Sequence, residues 1–155
     1  FIGLLDTENN VLEFASAAHM PLVVFHCREK MVRMIGTDAK PLGIFSDEVF
    51  VKGLENKKIK LMPGDLFLQF TDGLSEMRNE SGEEYSLERI LQITADEAAG
   101  GARHLVAKLK EDLVKFRGQT AQSDDLTIVA ISALPEGIVR VPECMMENPD
   151  KVVFE

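Results

Sequence analysis

The sequence predicts a single α+β domain. Short apolar runs bounded by Gly, Pro, Asn or Asp fill the first half of the chain and return near residue 128, as strands do. Between them, Leu105, Leu109 and Leu113 repeat at helical spacing. The 155 residues, 45% hydrophobic and 28% charged, suffice for one domain with a real core.

Residues 1–5 and 11–15 read as the arms of a hairpin around the polar turn at 6–10. Residues 16–21 form a break that contains His19. Residues 22–26 and 31–35 read as a second hairpin around the turn at 28–30. Gly36, Pro41 and Gly43 punctuate a loop. A further strand is expected within residues 45–54, then a polar turn at 55–58 and a short apolar run at 59–61.

Pro63-Gly64 makes a turn into the strand 65–71. This strand is nearly all apolar, so it is expected to be buried on both faces and central in its sheet. It runs into Thr71, Asp72 and Gly73, where Gly73 would allow a sharp turn and leave room for a ligand. Residues 76–84 are polar and read as an exposed loop. Ser86 is a good N-cap for a helix with Leu87, Ile90 and Leu91 on its apolar stripe. A longer helix is expected over 103–117, stopped at Gly118. The polar loop 119–125 leads into the β-branched strand 126–131. From 133 onward prolines interrupt the pattern, leaving 138–141 and 152–154 as candidate edge strands.

The net charge of −9 disfavours nucleic acid and anionic lipid as partners. No apolar run is long enough to span a membrane, and no signal peptide is visible. Cys27 and Cys144 lack zinc-type spacing and read as free thiols of a reducing, cytoplasmic compartment, with a disulfide as the alternative. The chain starts at Phe1 inside an apolar run, so a fragment of a longer protein is expected.

Asp72 follows one strand, and Asp124 and Asp125 precede another. If those strands are antiparallel neighbours, the three carboxylates meet at one sheet edge. Crowded carboxylates need a proton or a cation, and oxygen ligands without Cys suit Mg²⁺ or Mn²⁺. The competing reading makes each acidic pair a simple turn.

Four segments in fixed order resemble the bacterial PP2C-type (PPM) serine phosphatases of the SpoIIE/RsbU-like branch. They are Leu-Glu-Phe-Ala-Ser-Ala-Ala-His-Met-Pro-Leu at 12–22, Lys-Pro-Leu-Gly-Ile at 40–44, the segment 61–76 with Pro-Gly-Asp and Thr-Asp-Gly, and Ser-Asp-Asp-Leu-Thr-Ile-Val at 123–129. The resemblance covers residues 1 to about 132 and leaves 133–155 as a C-terminal extension. It implies a sandwich of two antiparallel sheets flanked by helices. It implies hydrolysis of a phosphorylated protein, of the anti-sigma-antagonist type, by water that two Mn²⁺ or Mg²⁺ ions activate. Asp72 and Asp124 would be metal ligands, Asp125 a weaker one, and Gly73 and His19 would shape the site.

Two departures stand out. The family's first metal motif, Asp-Val-x-Gly-His-Gly, has no counterpart in these residues, so the chain by itself is expected to be inactive. Ala18 replaces the Gly that usually precedes the His, although Ala tolerates positive φ poorly. His19 could serve as a general acid or merely hold its turn. A non-catalytic pseudophosphatase that binds a signalling partner is the alternative function. An upstream sensor domain is expected in the parent, and a homodimer through an exposed sheet edge is left open.

Overall fold

The computed structural model describes residues 1–134 and the backbone of a last strand, Lys151–Phe154. Strands β1 (Ile2–Asp6), β2 (Val11–Ala15), β3 (Leu22–His26) and β4 (Met31–Ile35) form the two expected hairpins. In the first turn the Asp6 carboxylate accepts the N–H groups of Glu8 and Asn9, both at 3.0 Å. That local bonding makes Asp a turn residue.

Helix α1 (Asp47–Gly53) stands where the sequence suggested a strand. The Val-Phe-Val run misled, because its residues are not buried in a sheet. Asp47 and Glu48 at the first turn, Lys52 at the last, and a Glu48–Lys52 ion pair of 2.9 Å favour helix instead. Strand β5 (Asn56–Lys60) begins inside the segment read as a polar turn. It is an edge strand beside β2, with Lys58 pairing Glu13 at 3.0 Å, and lysine is a common guard of such edges.

Strand β6 (Leu66–Phe70) leads into the short helix α2 (Asp72–Ser75). Helices α3 (Leu87–Glu97) and α4 (Ala102–Arg117) follow, then β7 (Ile128–Ser132) and β8 (Lys151–Phe154). The Ser86 hydroxyl accepts the Arg89 N–H at 3.4 Å, so the expected N-cap forms. The 76–84 segment is a tight turn, with the Asn79 side chain accepting the N–H groups of Ser81 and Glu83.

The small sheet has the order β1-β2-β5 and the large one β7-β6-β3-β4-β8, antiparallel apart from the parallel β4–β8 pair. Of the two candidate edge strands in the tail, 152–154 falls within β8, while 138–141 lies outside the described residues. β6 is buried along its whole length, as expected for a central strand. Its alternation feeds two cores. Phe67 joins Leu12, Phe14, Leu22 and Val24 between the sheets. Leu66, Leu68 and Phe70 face the helices and meet Leu74, Ile90, Leu105 and Leu109.

Two polar devices brace neighbouring elements within the layers. Asp65, 2% exposed, accepts the Cys27 N–H at 2.9 Å, the Met62 N–H at 3.1 Å and His26 Nδ1 at 3.1 Å. Between α3 and α4, Arg89 makes a forked contact with Asp112, which also accepts the Tyr85 hydroxyl at 2.9 Å. Burial and the Asp112 carboxylate push the Tyr85 phenol well above its ordinary range. The reading of Cys27 as a free thiol is corrected, since its sulfur is disulfide-bonded. Cys144 lies outside the described residues.

Candidate metal centre at one end of the large sheet

β6 and β7 are antiparallel neighbours, with Phe70 opposite Ile128. The residue after the end of β6 and the residues before β7 therefore share one sheet end. Thr71 stitches them together. Its N–H donates to the Thr127 carbonyl at 3.1 Å, and its hydroxyl donates to the Asp125 carbonyl at 3.0 Å. The same hydroxyl accepts the Thr127 N–H at 2.9 Å. The juxtaposition of Asp72 with Asp124 and Asp125 thus rests on one backbone bond and two bonds of the Thr71 hydroxyl.

Gly73 stands where the chain turns from β6 into α2. It lies within α2 rather than at a positive-φ turn. A Cβ there would sit 2.3 Å from the Asp125 carbonyl oxygen, so the space beside it is filled by the neighbouring loop. Glycine at 73 lets the two acidic segments touch.

The three carboxylates are exposed. Asp72 Oδ1 accepts the Gly73 N–H at 3.0 Å, and Asp124 Oδ1 accepts the Asp125 N–H at 2.7 Å. Each keeps a second oxygen outside these local bonds. Oxygen-only donors on adjoining loops fit a hard divalent ion in kind. They do not complete a site in number: among the described residues no three His, Cys, Asp or Glu side chains are grouped to hold an ion.

His19 lies in the β2–β3 connection. Because β3 runs antiparallel to β6, with Val23 opposite Leu68, that connection is at the Asp72 end of the sheet. Its partners are not carboxylates. The His19 N–H donates to Ser16 Oγ at 3.3 Å, and its Nδ1 lies 2.9 Å from Gln69 Nε2. Ala18 adopts φ 56°, the left-handed conformation that the missing glycine would have supplied without strain. Sequence reasoning passed over Gln69. The signal was present: it is the one polar residue of the strand Leu-Phe-Leu-Gln-Phe.

Residues 1–134 match the family model described as Stage II sporulation protein E. The chain belongs to the SpoIIE family. Its relatives place it among PP2C-like domains. The SiaA PP2C domain of Pseudomonas aeruginosa superposes with a TM-score of 0.70 at 21% identity, over 84% of this chain and 49% of that one. The RsbU and RsbW domain structure of Rv1364c from Mycobacterium tuberculosis gives 0.65 at 26% identity, over 84% and 34%. The SpoIIE phosphatase domain of Bacillus subtilis, Mn presoaked, gives 0.62 at 16% identity, over 86% and 55%. Protein IcfG of Synechocystis is 23% identical over 84% of this chain and 20% of its own length. The chain therefore spans about half or less of the first relatives it matches. Two sheets with flanking helices are the α+β sandwich of the PP2C phosphatase domains. No helix among the described residues is long and apolar enough to cross a membrane.

Proposed function

We propose that this SpoIIE-family chain is part of a metal-dependent protein serine/threonine phosphatase domain. Its substrate in the parent protein would be a regulatory phosphoprotein, such as an anti-sigma-factor antagonist, under the control of an upstream sensor domain. One observation carries the reading: Thr71 and Gly73 hold Asp72 against the Asp124–Asp125 loop at the open end of the central strand. When bound, two Mn²⁺ or Mg²⁺ ions would activate water and neutralise phosphoryl charge. A SpoIIE structure from Mn-presoaked crystals supports manganese for a relative.

This chain's residues do the rest. Asp72 and Asp124 supply anionic oxygens from two loops, with Asp125 as the weaker third donor. Gly73 keeps those loops in contact, and His19 borders the same sheet end. The Asp of the family's first metal motif has no counterpart in these 155 residues. The isolated chain should therefore bind Mn²⁺ weakly and turn over little or no phosphoprotein.

The second reading is a pseudophosphatase that recognises a phosphoprotein without hydrolysing it. The two separate in the full-length parent, assayed for Mn²⁺-dependent release of phosphate from a phosphoserine protein. The phosphatase reading expects activity, and its loss by a hundredfold or so in Asp72→Asn and Asp124→Asn with folding intact. Full activity in both variants would remove these carboxylates from the site. A parent that binds phosphoprotein without turnover would leave the second reading.

A further inference from the structure

Gln69 is an anomaly of the central strand. It is 8% exposed, on the face of β6 that also carries Phe67 toward the space between the sheets. Its Nε2 donates to the Met20 carbonyl at 2.8 Å and to His19 Nδ1 at 2.9 Å. Its Oε1 is buried without a hydrogen-bond partner. A buried polar group with an unmet acceptor calls for a reason beyond packing, since leucine or methionine would fill the space without that loss.

The geometry fixes the protonation of the neighbouring ring. A carbonyl oxygen only accepts, so the amide end facing Met20 must be the NH₂. The other hydrogen of that NH₂ faces His19 Nδ1 at 2.9 Å, which must then offer its lone pair; the Met20 carbonyl, 3.5 Å from the same nitrogen, is the only other partner of Nδ1 among the described residues, and a proton directed at it would set two donors against each other at 2.9 Å. A neutral imidazole whose Nδ1 accepts carries its proton on Nε2. Two further bonds hold the segment in place. The His19 N–H donates to Ser16 Oγ, and Thr37 Oγ1 donates to the Ser16 carbonyl at 3.2 Å.

We propose that Gln69 is a positioning residue that locks His19 as the Nε2–H tautomer, so that the ring presents a neutral N–H donor at the Asp72 end of the sheet. The strand that delivers Asp72 also sets the histidine, three residues earlier. A donor of this kind suits an anionic phosphoryl oxygen. It does not suit the abstraction of a proton, because its only free lone pair is occupied by Gln69. The role in phosphoryl recognition rests on the phosphatase reading above, whereas the tautomer does not.

The test is a long-range ¹H–¹⁵N correlation spectrum of the ¹⁵N-labelled 155-residue chain, with His19→Gln used to assign the ring among the three histidines. The expected pattern is a single tautomer, with His19 Nδ1 unprotonated and Nε2 protonated. In Gln69→Leu the lock is lost and the His19 nitrogens shift toward averaged tautomer values, while the circular dichroism spectrum stays native. Gln69→Met serves if the leucine variant does not fold. A wild-type ring protonated on Nδ1, or a His19 pattern indifferent to Gln69, overturns the proposal. In an active full-length parent, Gln69→Leu should lower kcat about tenfold, with the Mn²⁺ dependence of the rate unchanged. An unchanged kcat overturns the positioning role. An inactive parent together with the expected spectrum supports the lock and counts against the phosphatase reading.

Discussion

Removal of the Asp65 carboxylate should cost this domain a large part of its stability. Asp65 opens the central strand at the end opposite Asp72, and it is 2% exposed. In Asp65→Ala the Cys27 N–H loses its 2.9 Å acceptor inside the core, and Met62 N–H and His26 Nδ1 lose theirs. An orphaned buried donor costs about 1–3 kcal/mol, and each of the other lost bonds adds a smaller amount where water can reach the freed group. Together these give roughly 2–5 kcal/mol, a substantial share of the stability of an ordinary domain. Asp65→Asn keeps the shape and one acceptor oxygen but turns an NH₂ toward a donor, and should lose roughly 1–3 kcal/mol.

The pH dependence has a definite sign. Burial by itself would raise the Asp65 pKa, but the bonds from His26, Met62 and Cys27 outweigh it and hold the carboxyl below its ordinary value. A carboxyl whose folded pKa lies below the unfolded one stabilises the fold above about pH 4, and that contribution fades as pH falls through the folded value. Urea unfolding between neutral and acid pH measures both effects, with the midpoint falling in the variants and the slope unchanged. The Ala variant should lie lower throughout and fall less steeply in acid. A loss under about 1 kcal/mol, or an acid profile parallel to that of the parent chain, would refute the account of Asp65 as a buried, ionised tie.

Two other substitutions test the neighbourhood of the site. Gly73→Ala forces a Cβ against the Asp125 carbonyl, a backbone group that cannot swing away, and should cost about 1–3 kcal/mol. The Thr71 and Thr127 amides, which bond across that contact, should lose hydrogen-exchange protection before the rest of the sheet. Ala18→Gly should stabilise the chain by about 0.5–1 kcal/mol, because relief of the left-handed strain outweighs the added entropy of the unfolded chain. Thermal unfolding would record it as a rise in Tm.

The strands whose pattern is simple could be read from the residues alone. Both hairpins, the buried β6 and the leucine stripe of α4 follow from alternation, helical spacing and turn residues, which are local properties. The sequence also placed a carboxylate after one strand and two before another. Its failures were local signals that tertiary context overrode. The Val-Phe-Val of α1 imitates a strand, and the lysines of β5 imitate a turn because they guard a sheet edge. Only the folded chain decided that β6 and β7 are neighbours, since strand pairing is a relation between segments about sixty residues apart that no window of sequence contains. From that pairing come the Thr71 bridge and the close approach at Gly73, and from the pairing of β3 with β6 comes the hold of Gln69 on His19. A side chain's chemistry is written in its identity, but which lone pair or hydrogen it can offer is set by whatever the fold brings within hydrogen-bond distance.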